Sequence, residues 1–281
     1  MPTSPGLLYI VATPIGNLGD MSPRAIETLK SVDLIAAEDT RHSLPLLKEF
    51  GVTTSLTALH EHNEREAVPR LIARLQQGES IALISDAGTP LLSDPGYHLT
   101  RAAHEAGVRV APVPGPSALI AALSVSGLTA GQFVFEGFLP PRAAARRARL
   151  EALRGETRTL ALFEAPHRLL ETLEDLAALL GAQRRALLAR ELTKTFETLR
   201  LDTLRGLHEF VRGDPQQQKG ESVILVEGAE PSAPLATEAE KVLRALLTEL
   251  PLKQAVKLAG AITGVKKNDL YDLALKLQSD Q

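Results

Sequence analysis

Cysteine and tryptophan are both absent from the 281 residues, and aromatic residues amount to only 4%. Without cysteine there are neither disulfides nor thiolate metal ligands, so stability rests on packing, in keeping with a reducing cytoplasm. So few aromatics exclude nucleic-acid recognition by extensive base stacking. No apolar run reaches the roughly 18 uninterrupted residues of a membrane-spanning helix, and the opening MPTSPGLLYIVATP has no basic segment followed by a long apolar one. A cytoplasmic protein without a membrane partner is expected. Strong charge of either sign is missing too: 31 basic and 34 acidic residues give −3, which argues against indiscriminate nucleic-acid binding and leaves local patches to be read along the chain.

What is present is an ordinary globular balance, 44% hydrophobic and 23% charged, enough to bury a sizeable core. Leu7–Ala12, Val32–Ala36, Leu56–Leu59, Ile81–Ser85 and Val108–Val113 are short apolar runs separated by helical patterns. That alternation predicts an α/β layer on a mostly parallel sheet. Ser22 with Pro23 marks one helix start, and Asn63 three residues before Glu66 has capping-box spacing. A second series, Phe133–Phe138, Thr159–Phe163, Ala186–Ala189 and Val223–Val226, has two clear helical stretches and predicts a smaller α+β domain with a mixed sheet. We expect domains at residues 1–117 and 118–230. Residues 231–281 then form a linker, centred on AEPSAPLAT, and a small helical module with a Gly-containing turn at Ala261–Val265.

Three loops follow strands of the first domain. TPIGNLGD (Thr13–Asp20) carries Gly16 and Gly19 but matches neither GxGxxG nor a P-loop, so a plain βα turn explains it as well as a ligand loop. SDAGTPLLSDPG (Ser85–Gly96) packs two glycines, two prolines and two aspartates into twelve residues, which suits backbone groups turned toward a ligand. VPGPSA (Val113–Ala118) fixes the backbone around Gly115 and opens a helix at Ser117; a rigid ligand turn and an interdomain hinge both fit. Ligands of open α/β sheets bind at such strand ends.

Charged clusters are fewer. In EDTRH a carboxylate (Asp39), a guanidinium (Arg41) and an imidazole leave a strand end together, although a helix cap by Asp39 or Thr40 explains half of that pattern. HEHNE (His60–Glu64) offers two histidines without a third ligand nearby, and no metal is expected. Arg168, where a strand becomes a helix, suits a helix start or an anion contact equally. From Arg142 to Arg158 there are six arginines against two glutamates, including Arg146, Arg147 and Arg149. A local excess of this kind favours a phosphate-contacting patch over a solvated face. The tail adds Lys253, Lys257, Lys266 and Lys267 on two short helices that resemble a helix-turn-helix.

TPIGNLGD, AAEDTRH, SDAGTPLLSDPGYH, VPGPSA, FEGFLP, FEAPHR and ARELTKTFET, in this order over about residues 6–230, closely resemble the ribosomal RNA small-subunit methyltransferase I family, of the tetrapyrrole-methylase fold. The resemblance implies a two-domain α/β enzyme with a helical extension. It would use S-adenosyl-L-methionine to methylate the 2′-oxygen of a decoding-centre cytidine in 16S rRNA, within the small ribosomal subunit, as a homodimer. By position it implies cofactor contacts at Pro14, Gly88, Thr89, Pro90, Leu92, Gly115 and Ser117. From the second domain it adds Leu162, Phe163, Ala189 and the late segment Lys219, Gly220, Glu221. One departure is visible: FEAPHR has Phe163 where many relatives carry tyrosine, so no hydroxyl acts there. A ribose hydroxyl is a poor nucleophile at neutral pH and calls for a proton acceptor. Asp39 is the first candidate, with Arg41 on a phosphate and Glu38 and Glu191 in reserve.

Overall fold

The computed structural model describes residues 6–230 and 234–279. Its contacts group into two compact units, one running through Glu151 and resuming over Arg158–Glu227, the other made of Ala152–Thr157 and the chain from Gly228 onward.

The first unit opens on five parallel strands, β1 (Leu7–Val11), β2 (Leu34–Ala37), β3 (Leu56–Ala58), β4 (Ile81–Ile84) and β5 (Arg109–Val113), in the order β3-β2-β4-β1-β5. Helices α1 (Pro23–Ser31), α2 (Thr40–Glu49), α3 (Glu64–Gln76) and α4 (Tyr97–Glu105) connect them, and α5 (Ala118–Val125) follows β5. Buried parallel strands need apolar residues on both faces. Here alternate residues feed two cores: Leu34, Ala36, Ile81 and Leu83 pack with Leu71 of α3 and Leu99 of α4, while Ile35, Ala37, Ala82 and Ile84 pack with Leu29 of α1 and Leu47 of α2. Each such leucine or isoleucine contributes about 1.5–3 kcal/mol by leaving water. Ser22 caps α1 as its sequence suggests, accepting from the Ala25 N–H with Pro23 in the first turn. Asn63 does not form the expected capping box; its amide is engaged by the His60 N–H and the Ala58 carbonyl.

The second sheet is mixed. Strands β6 (Phe133–Phe138), β7 (Thr159–Glu164), β8 (Arg185–Arg190), β9 (Thr198–Thr203) and β10 (Ser222–Val226) run β6-β7-β10-β8-β9, with only β6 and β7 parallel. Three α-helices accompany it rather than two: α6 (Ala143–Leu153), α7 (Leu169–Leu180) and α8 (Leu204–Gly213). β9 has no counterpart in the expected strands. One face of this sheet, with Ala161, Leu187, Ala189, Val223 and Leu225, closes on Leu119, Ala122 and Leu123 of α5 and on Ile15 after β1. The second sheet thus shares a core with α5 and Ile15 of the first layer, and the strand-end loops of the first sheet face the apolar side of the second.

In the other unit α9 (Pro234–Glu249), α10 (Leu252–Thr263) and α11 (Lys267–Ser279) bury Leu243, Val256, Ala259 and Leu270. α9 begins inside the segment expected to be linker, and residues 231–233 of that segment lie outside the described residues. Gly264 ends α10 in the left-handed conformation, the turn expected around Ala261–Val265.

Candidate functional site

Between the two sheets lies a cavity of about 380 Å³, lined from the first sheet by Ile15, Glu38, residues 86–89 and 92–94, Ser117 and Ala118, and from the second by Phe138, residues 163–166, Ala189, Leu192 and residues 221–223. The volume suits a small-molecule ligand. The loop from Ser85 to Gly96 forms much of one wall and is fixed at each end. Gly88, at φ +81°, exchanges two backbone hydrogen bonds with Thr13 (3.0 and 2.9 Å), and a Cβ there would press on Ile15. At the other end the buried Glu64 carboxylate accepts the N–H groups of Gly96, His98 and Leu99, closing the first turn of α4. Leu91 and Ser93, between these fastenings, take positive φ, a costly conformation for side-chain-bearing residues.

The lining contains carboxylates at Glu38, Asp86, Asp94, Glu164 and Glu221 and, among the described residues, no lysine, arginine or histidine. Glu164 is satisfied internally by Thr172 (2.6 Å) and the Ala165 N–H (2.8 Å), and Glu221 by Lys194 (2.7 Å). Glu38, Asp86 and Asp94 set the field. Burial pushes the Glu38 carboxyl up; a weak hydrogen bond from the Asp86 N–H works against it, while the charges of Asp86, Glu61 and Asp39 add to it. Burial, reinforced by the negative charge of Glu38, pushes Asp94 up to about 6.

Of the residues expected to touch a cofactor, Gly88, Thr89, Leu92, Ser117, Phe163, Ala189 and Glu221 line this cavity. Thr89 donates to the Pro116 carbonyl and Ser117 caps α5, which locks the two loops together. Others require correction. Gly115 is exposed and does not line the cavity, and a Cβ there would meet the Ala12 side chain at 3.1 Å. Leu162 is fully buried on the face of β7 opposite Phe163, as strand alternation dictates. Pro90 is buried without lining the cavity. Gly220, at φ +79°, lies against the Glu191 carboxylate. Pro14 and Arg41 border an adjoining groove with Gly16, His42 and Lys194, which shares Ile15, Asp86, Ala87 and Glu221 with the cavity.

The catalytic candidates fare unequally. Asp39 accepts from the Arg41 backbone N–H, Nε and Nη2 at 2.8, 3.1 and 2.8 Å, and these bonds hold its carboxyl far below the usual range. It caps α2 and does not line the cavity. Glu191 is occupied by the Lys194 ammonium (2.8 Å) and the Glu221 N–H (2.9 Å); burial alone would raise it, and these partners outweigh burial and lower it. Glu38 does line the cavity. Asp86 and Asp94 are not among the residues that the sequence singles out; the two aspartates in SDAGTPLLSDPG are the available signal.

The family model described as Tetrapyrrole (Corrin/Porphyrin) Methylases matches residues 7–208, and that of the RsmI C-terminal HTH domain matches residues 233–278. A protein of Pseudomonas aeruginosa named ribosomal RNA small subunit methyltransferase I is 59% identical over 278 residues, spanning 98% of this chain and 99% of the relative. One of the same name from Escherichia coli O157:H7 is 53% identical over 276 residues, covering 98% and 96%. The chain belongs to the ribosomal RNA small subunit methyltransferase I family. Its fold is shared with diphthine synthase (TM-score 0.61, 17% identity, 79% of this chain and 89% of that one). It is shared too with uroporphyrin-III-C-methyltransferase from Thermus thermophilus (TM-score 0.53, 20% identity, 79% and 92%).

The arginines expected to face RNA in this family member divide by partner. Arg146 is only 2% exposed and reaches Asp175 at 2.7 Å, an interior ion pair and not an RNA contact. Arg168 turns inward to the Leu139 and Pro140 carbonyls and to Glu164. Arg147 pairs with Asp175 and Arg149 with Glu136, both with side chains partly in solvent. Arg142, Lys253, Lys257, Lys266 and Lys267 are exposed.

Proposed function

We propose that this chain transfers the methyl group of S-adenosyl-L-methionine to the 2′-hydroxyl of a decoding-centre cytidine in 16S rRNA of the small ribosomal subunit. The observation that carries the reading is the cavity: it lies at the carboxyl ends of a parallel sheet, has apolar walls from a second sheet, and gathers Glu38, Asp86 and Asp94, three carboxylates that pair with no cation among the described residues, whereas Glu164 and Glu221 are held by Arg168 and Lys194. Such a lining fits a ligand with a sulfonium and an ammonium, and the loop amides suit its polar groups. That ligand supplies an electrophilic methyl group. The chain supplies position and a proton acceptor. We assign the acceptor to Asp94, which lines the cavity and whose carboxyl, at about 6, is matched to work near neutral pH. Burial, reinforced by the charge of Glu38, keeps it basic. Asp39 and Arg41 then serve together, the carboxylate holding the guanidinium at the groove where a strand phosphate would pass.

RNA contacts are proposed at Arg142, Arg147, Arg149, Lys266 and Lys267, whose side chains reach solvent. A cytoplasmic homodimer completes the reading. The exposed Ile120 and Val125 of α5, with Leu199 and Leu201 on the free edge strand β9, offer the apolar surface that a second copy would cover. The test is methyl transfer from labelled S-adenosyl-L-methionine to small subunits from a strain without the enzyme, with the product mapped by mass spectrometry. One new ribose methyl on a cytidine supports the reading; transfer to a base, or none, defeats it.

A further inference from the structure

We infer that Phe138 is the stacking platform for an unpaired base of the acceptor RNA strand, at the mouth of the cavity; the inference rests on the rRNA methyltransferase reading above. Strand β6 alternates Phe133 and Phe135 toward the shared core, where both pack. Unbroken alternation would send Phe138 to the other face. A bulge intervenes: Phe135 pairs with Ala161, Gly137 with Leu162 and Phe138 with Phe163, so one extra residue returns Phe138 to the side that carries Phe163. Gly137 makes this possible at φ +62°, and it fits tightly, since a Cβ would stand 2.9 Å from Ser93 Oγ.

The re-aimed ring lines the cavity yet stays 53% exposed, a large apolar surface left in water in a chain with few aromatics. It is held edge-on by Phe163, with centroids 5.7 Å apart and planes at 61°. Phe163 is partly buried against the shared core, so Phe138 is the ring left open at the mouth. A small cofactor enclosed by the cavity covers its depth. An RNA strand must cross the mouth to present its hydroxyl, and unstacked bases are held on exposed aromatic faces.

The experiment uses the full-length enzyme with small ribosomal subunits and compares Phe138→Ala and Phe138→Trp with the parent. Calorimetry measures S-adenosyl-L-methionine affinity, and initial rates give kcat and KM for the particle. Loss of one stack lowers kcat/KM for the particle roughly 5- to 150-fold in Phe138→Ala. Cofactor affinity should stay within about twofold, and Phe138→Trp should be near the parent. Weakened cofactor binding in Phe138→Ala would assign the ring to the cofactor and overturn the inference, as would unchanged particle kinetics. A parent enzyme that transfers no methyl to the particle would instead remove the reading beneath it.

Discussion

Replacing Asp94 with asparagine keeps the shape of the side chain and removes a charge that the cavity makes costly. The folded protein binds this proton more tightly than the unfolded chain does, since burial and Glu38 raise the carboxyl from 3.8 to about 6. Its contribution to stability is therefore full below 3.8 and is lost as the pH rises through about 6. The rise corresponds to at most about 3 kcal/mol, and solvent at this partly buried side chain cuts that to about 1–2 kcal/mol. Asp94→Asn should then be more stable than the parent by about 1–2 kcal/mol near pH 7.5, with the difference shrinking toward about pH 4. Urea denaturation at the two pH values measures it. Single-turnover methylation should fall by roughly 10²-fold, and the parent's rate should drop as the pH falls below about 6. Gain of stability with loss of activity is the signature of a group placed for chemistry. A variant of unchanged stability at both pH values, or one that methylates at the parental rate, would refute the reasoning.

Asp39→Asn should methylate within a few-fold of the parent, because asparagine also caps helices and the lost partner is the exposed Arg41; a loss near 10²-fold would restore Asp39 as proton acceptor. Arg146→Ala should cost about 3 kcal/mol or more by leaving Asp175 short of its buried partner. The salt dependence of RNA binding should not move, and a flatter slope with unchanged unfolding would return Arg146 to the RNA surface. Replacing Lys266 and Lys267 together with alanine should flatten that slope by up to about 2, as read from particle affinity between low and moderate salt. Unchanged binding would remove the tail from the contact.

Periodicity exposes the first sheet because its inner strands β2 and β4 are buried on both faces and read as unbroken apolar runs, as in Ile81–Ile84. β9 was harder to see for the opposite reason. TLRLDT alternates leucine with arginine and aspartate on an edge strand, and Leu199 and Leu201 point to solvent, so no core demanded the pattern. The strand-end loops were legible as ligand walls from their Gly and Pro content. Which residue within each loop faces inward was not, because that depends on packing across the chain: Gly115 lies against Ala12, and Leu162 is turned away by the parity of its strand. The arginine cluster misled in a similar way, since Asp175 lies far along the chain from Arg146 and Arg147. The carboxylates at 86 and 94 gain meaning only when Glu38, from another strand end, is folded beside them.

The wall made by residues 85–96 is bolted to Thr13, just after β1, by backbone hydrogen bonds and to α3 by Glu64. We expect ligand traffic to fall instead to the side of Glu221, which lines the cavity and which Lys194 clips to Glu191, with Phe196 nearby in sequence standing in solvent. Ionic clips loosen as salt rises, whereas amide bolts do not. Exchange of spent cofactor should quicken with ionic strength while the grip on RNA slackens, and turnover is then fastest at an intermediate salt concentration set by those opposed demands.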